Sequence, residues 1–186
     1  MTREITIPWK DDVFTILVDD DSYALLNRHT WYIMFSGEQK KPYAFAELYS
    51  KVKGQERVKR MFYMHQMVTG SFTQIDHING NTLDNQFDNL RVATYQQNGW
   101  NSIKRQVTST GKPPSSQYKG VNKYTNTKGE TLWRVIFILT KKGEKPARHF
   151  RKSGFATELE AARCYNEEVV KYRGEWALLN QLPLVG

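Results

Sequence analysis

Cysteine is nearly missing from this chain of 186 residues, where Cys164 stands alone. That excludes an intramolecular disulfide framework and a zinc site built on cysteine pairs. A reducing, intracellular setting fits such usage, and a cytoplasmic protein is expected. Long apolar runs are missing too: no stretch of about 18 apolar residues occurs, so no membrane span is expected. The opening stretch, Met1 to Lys10, lacks the uninterrupted apolar core of a signal peptide.

What the chain does hold is apolar material for cores and an uneven charge. Hydrophobic residues make up 39% and aromatics 13%, which argues against wholesale disorder. Residues 1–103 carry 11 Lys/Arg against 12 Asp/Glu, and residues 104–186 carry 16 against 7, so the net charge of +8 comes from the second part. A basic half joined to a near-neutral one reads as a polyanion-binding module attached to something else.

The expected fold class is α+β. Phe14, Ile16 and Val18 alternate along one strand and Trp31, Ile33 and Phe35 along another, with a short helix over 21–26 between them. Strands follow around 43–46 and 57–62, then a short apolar helix over 62–68 that stops at Gly70. Thr94 with Gln97 forms a capping-box pattern for a helix starting near Tyr95. Residues 104–117 are polar, basic and aperiodic, and read as a flexible linker. Beyond it the pattern predicts three strands, over 118–124, 132–140 and 145–151, packed on one helix that opens at Thr157 and closes at Gly174. The expected division is 1–103, linker 104–117, and 118–186.

The densest chemistry lies between Asp76 and Asn98. A carboxylate stands beside an imidazole, followed by Asn79, Gly80, Asn81, Asp84, Asn85 and Asn89, with no cysteine nearby. That inventory suits a hard divalent cation, a water-activating base and a phosphate ester. Asp76 offers a hard oxygen, His77 an imidazole of the kind that ordinarily titrates near neutrality, and Asn98 near the start of the predicted helix can bring a second oxygen. Adjacent strand side chains point to opposite faces, so a shared site requires the backbone to bend at His77, where Asn79-Gly80-Asn81 supplies a turn. Those turn residues read first as structure, as does His65 on its apolar helix, while Cys164 reads as a packed residue.

His77, Asn89 and Asn98, within Asp76-His77-Ile78-Asn79-Gly80-Asn81, Leu83-Asp84-Asn85, Asp88-Asn89-Leu90-Arg91 and Gln97-Asn98, resemble the HNH endonuclease motif of phage and intron-encoded homing endonucleases. The resemblance covers about 60–101. It implies a ββα-metal core in which Asp76 and Asn98 hold one Mg²⁺ or Mn²⁺. His77 would act as general base, and Asn89 would hydrogen-bond the loop backbone or the base. Many relatives also carry a structural zinc on cysteine pairs; none is expected here.

The basic part has its own likeness. Tyr118-Lys119-Gly120-Val121, the Trp133 strand, Gly154-Phe155-Ala156-Thr157 and Tyr172-Arg173-Gly174-Glu175-Trp176 look like an APETALA2/ethylene-response-factor domain. That family lays a three-stranded antiparallel sheet in the DNA major groove. Lys119 and Arg148 match positions of contacting arginines there, and Phe150 an aromatic one. Asn122 and Tyr124 replace arginines, so the plant target sequence does not carry over. Lys123, Arg134, Arg151 and Lys152 are candidate phosphate contacts, which position without specifying.

Together these readings give a metal-dependent DNA endonuclease acting on double-stranded DNA, borne by a phage or mobile element, with a monomer favoured. The alternative is a DNA-binding regulator whose nuclease part is inactive.

Overall fold

Alternation dictates the first layer. Ile5 and Ile7 on β1 (Thr2–Trp9) lie opposite Ile16 and Phe14 on β2 (Asp12–Asp19), and together with Val18 they turn one face of the hairpin inward. The structure, a computed structural model, describes residues 1–37, 40–50, 58–104, 111–140 and 144–183. It is mixed α/β, with several small antiparallel sheets and few helices. No helix among the described residues is long and apolar enough to cross a membrane.

The chain divides into two compact units, Met1–Thr94 and Tyr95–Gly186. In the first, α1 (Asp20–Leu26) leads to the three-stranded sheet β3 (Tyr32–Ser36), β4 (Lys41–Ser50) and β5 (Val58–Tyr63), with β4 central. Helix α2 (Met64–Thr69) follows and stops at left-handed Gly70. Its Met64 joins Leu26, Ile33, Ala44 and Ala46 in the core beneath the first hairpin. The last elements are the short strands β6 (Ile75–His77) and β7 (Leu90–Val92), paired antiparallel.

The second unit opens with α3 (Tyr95–Trp100), where the capping pattern at Thr94 places it. The strands β8 (Val121–Thr125), β9 (Thr131–Ile138) and β10 (His149–Phe155) form a sheet with β9 in the middle. Val121, Val135 and Phe137 pack against Ala161, Ala162, Tyr165 and Val169 of α4 (Glu158–Arg173). The predicted capping box is formed: Thr157 Oγ1 accepts from Glu160 N, and Glu160 Oε2 accepts from Thr157 N. Gly174 is the C-cap.

Several boundaries differ from expectation. The third strand begins at His149 rather than at 145, because Pro146 has no N–H to place in a ladder; it runs on to Phe155 through an irregularity at Gly154. The first begins at Val121, because Tyr118–Gly120 turn. The contact division falls after Thr94, and α3 has ties within the second unit. Gln96 Nε2 donates to Thr140 O, Lys119 Nζ to Trp100 O, and the Arg173 guanidinium lies 5.2 Å from the Trp100 ring. Most of the expected linker core, residues 105–110, lies outside the described residues.

Gly120 cannot be replaced without conflict. Its φ is +74°, and a Cβ there would sit 2.2 Å from the ring of Tyr165, which is fully buried. Gly120→Ala is expected to destabilise the second unit by about 2–4 kcal/mol, from overpacking and left-handed strain together. Urea unfolding measures this, and an unchanged midpoint would contradict the packing described.

Candidate active site

The β6–β7 hairpin has room for only three residues per strand, and all three of β6 are buried. Asp76 lies opposite Arg91 in the register. Its Oδ2 accepts from Arg91 Nε at 3.0 Å and from Nη2 at 2.9 Å. The residue is 3% exposed, so removing the arginine would strip a buried charge of its cationic neighbour, at a cost of roughly 3–5 kcal/mol. His77 ends the strand. Its ring meets His65 edge-on at a centroid distance of 5.3 Å and Tyr43 at 6.2 Å. Tyr63 stacks on His65 at 5.2 Å.

The chain bends directly after His77. Gly80, at φ +74°, donates its N–H to His77 O. From there the loop is held by amides and hydroxyls. Asn79 Oδ1 accepts from Asn81 N, and Asn81 Oδ1 from Leu83 N, two consecutive Asx turns. Asn79 Nδ2 donates to Asp84 Oδ2. Asn89 bridges the two ends: its Oδ1 accepts from Asn79 N at 3.0 Å, and its Nδ2 donates to Asp84 O at 2.8 Å. Lys41 Nζ to Gly80 O and Thr82 Oγ1 to Pro42 O tie the loop to β4. Leu17 N donates to Leu83 O, and Asn85 N to Leu17 O, which ties it to β2.

Burial sets the charge state of the imidazoles. It pushes His77 down to about 4, against the pull of the Asn85 side chain, Asp76 and Asp84 towards the charged form. His65 is pushed down to about 3, by burial and then by His77. Both rings are therefore neutral at physiological pH, and a neutral imidazole can accept a proton. Tyr43 is pushed up by burial and by the neighbouring Tyr63 and Asp76.

Sequence reasoning assigned no role to Tyr43, Arg91 or Asn85 and treated His65 as structural. The structure sets three of them around His77 and the fourth, Arg91, on Asp76. Arg91 stands in the quoted motif, but its partner follows from strand register, which a single sequence does not state. Asn85 looked like one more turn residue, yet it is 1% exposed and its amide faces the imidazole. Asn98 lies on α3, in the second unit.

Asp76 brings oxygen donors only, whose chemistry fits a hard, partly hydrated divalent ion rather than zinc. Among the described residues, no group of three or more His, Cys, Asp or Glu side chains could hold a metal by itself.

The predicted DNA-contact residues separate by sheet face. Asn122 and Arg134 are register partners, and Tyr124 and Arg151 share their face, which turns away from α4. The Arg134 guanidinium lies 5.4 Å from the Tyr124 ring. Phe150 is on the opposite face, stacked on Phe137 at 4.8 Å within the core, so it does not join the outer face expected of it. Lys123 and Lys152 are exposed but also alternate to the helix side. Arg148 is exposed just before β10. Lys119 is drawn inward: its Nζ donates to Trp100 O and Ser102 O, and burial lowers it to about 8.

The two depressed histidines make stability depend on pH. Below about pH 6.5 the unfolded chain takes up protons that the folded chain refuses until about 4 at His77 and about 3 at His65. This contribution is present in full above pH 6.5 and is lost as pH falls towards 3. Melting temperatures recorded from pH 7.5 to 4 should fall less steeply for His65→Gln than for the wild type; identical slopes would mean that His65 is not held neutral by the fold.

Residues 67–100 match the family model of the HNH endonucleases. No curated protein and no solved structure matches the chain. The matched segment contains Asp76, His77, Asn89 and Asn98, and it supports a nuclease, with DNA as the implied substrate.

Proposed function

We propose that the chain is a metal-dependent DNA endonuclease of the homing type, aimed by a sheet-borne DNA-binding domain in its C-terminal part. The observation that carries this reading is the coincidence of the family match with a buried Asp76–His77 pair at the mouth of an amide-braced loop.

His77 is the general base. A water oxygen attacks the phosphorus, its proton passes to the neutral imidazole, and the bond to the 3′ oxygen breaks; the departing oxygen takes a proton from solvent, leaving a 5′ phosphate and a 3′ hydroxyl. Asp76 and Asn98 are the proposed ligands of a single Mg²⁺ or Mn²⁺. When bound, the ion neutralises charge growing on the phosphate and the leaving oxygen. Asn89 is a positioning residue, keeping the turn closed so that His77 does not swing away.

DNA is held by the basic part, in the manner of an APETALA2-like sheet. The outer face, with Asn122, Tyr124, Arg134 and Arg151, is the proposed contact surface for double-stranded DNA. Arg148, Lys123 and Lys152 supply phosphate contacts at its edges, and Lys119 supports the segment before β8 from inside. The α3 helix belongs to the nuclease in this reading, as the span of the family match favours.

Supercoiled plasmid with Mg²⁺ or Mn²⁺ tests the activity. His77→Ala should cut about 10²–10⁴-fold more slowly than the wild type; equal behaviour of the two would favour a DNA-binding regulator with an inactive nuclease. Arg134→Ala and Arg151→Ala in the full chain should each weaken DNA binding at low salt and reduce the dependence of log K on log salt by about 1. An unaltered salt slope would remove the outer face from the interface.

A further inference from the structure

Within the first unit, an open cavity of about 230 Å³ lies beside the hairpin. Its walls include the rings of Tyr43, Tyr63 and His65, the amides of Gln66 and Gln74, and Thr73 at the exposed rim. Ile75 closes it, and Ile75 is the residue before Asp76 and His77 on β6. Two of the wall rings, His65 and Tyr43, are the same ones that touch the His77 ring. The cavity and the candidate general base therefore share a wall.

The chemistry of that wall is selective. Among the described residues that line it, none is a Lys, Arg, Asp or Glu, and its histidine stays neutral above about pH 3. These described walls offer a phosphate no cation and a metal ion no carboxylate. The volume lies below the ~300–1,000 Å³ of pockets that take drug-sized ligands, so it matches one planar ring system. Aromatic walls with amide edges are the means by which proteins hold an unstacked base, by ring contact and by hydrogen bonds to its polar edge.

The sheet beside it points the same way. Tyr32, Phe45 and Tyr63 are register partners across β3, β4 and β5, and Tyr43 is on the same face two residues from Phe45. Tyr49 and Met61 extend this face and are exposed, whereas Ile33, Ala44 and Ala46 on the other face are buried in the core. A row of aromatic residues thus runs over the outer sheet to the cavity.

We propose that this cavity is a nucleobase seat, taking one unstacked base of the DNA strand next to the scissile phosphate. The substrate part of this inference rests on the nuclease reading; the seat itself does not. A base inside a duplex cannot present both its faces and its edge to such walls, so the seat favours unpaired or locally opened DNA over an intact helix.

The test follows side-chain NMR signals of Tyr43, Tyr63 and His65 in the full chain, with no metal added, during titration with deoxyadenosine, thymidine and inorganic phosphate. The nucleosides are expected to shift these signals and phosphate is not. Thr73→Phe, which places a ring at the exposed rim, should weaken nucleoside binding by about tenfold or more. If that variant does not fold, Gln74→Leu, which removes an edge partner, should weaken binding in the same direction. No shift with either nucleoside, the same shifts with phosphate, or wild-type affinity in a folded blocked variant would overturn the seat. Plasmid cutting reports separately: cutting without nucleoside shifts keeps the nuclease and discards the seat. Shifts in a protein that cuts nothing keep the seat and discard its place in hydrolysis.

Discussion

The two side-chain hydrogen bonds of Asn89 govern the site, because they join the beginning of the 78–89 loop to its middle, where little apolar material could do so. Ile78 is largely exposed, and Leu83 is the one aliphatic side chain of the loop that reaches the core. A loop of this length without a metal or a cluster of its own would sample many shapes, at a conformational cost of about 1–2 kcal/mol for each residue ordered. The amides of Asn79, Asn81 and Asn89 offset part of that cost by satisfying backbone N–H groups locally. A network of hydrogen bonds thus holds the loop, and the anchors to β2 and β4 connect that network to the main core.

The same framework explains why the site electrostatics are lopsided. Asp76 receives a direct cationic partner in Arg91, so its charge is compatible with burial. His77 meets the rings of His65 and Tyr43, and burial outweighs the pull of Asn85, Asp76 and Asp84, so its uncharged form prevails. Adjacent residues on one short strand therefore meet opposite surroundings, a guanidinium at Asp76 and aromatic rings at His77.

Local signals in the chain were legible wherever a few consecutive residues decided the outcome. The Thr157–Glu160 box, the stops at Gly70 and Gly174, the turn at Gly80 and the alternation of β2 and β9 all depend on neighbours in sequence. The motif around Asp76 and His77 was legible for the same reason. What escaped depends on pairing between distant strands. The partnership of Arg91 with Asp76 needs the β6–β7 register, and the approach of Tyr43 to His77 needs the arrangement of β4. Phe150, placed among the DNA contacts by resemblance alone, pairs with Phe137 in the β9–β10 register, which turns its ring towards the core. Lys119 shows another limit, since composition counts its charge while the fold buries the ammonium among carbonyls.

The irregularity at Ser153–Phe155 has a consequence for solubility. β10 is an outermost strand, and such strands offer unpaired backbone groups on which a second copy could build a ladder. Here the register shift kinks the rim of the sheet, and the exposed Arg151 and Lys152 add like charges that two abutting copies would bring together. The bulged, charged rim thereby disfavours self-templating along this edge.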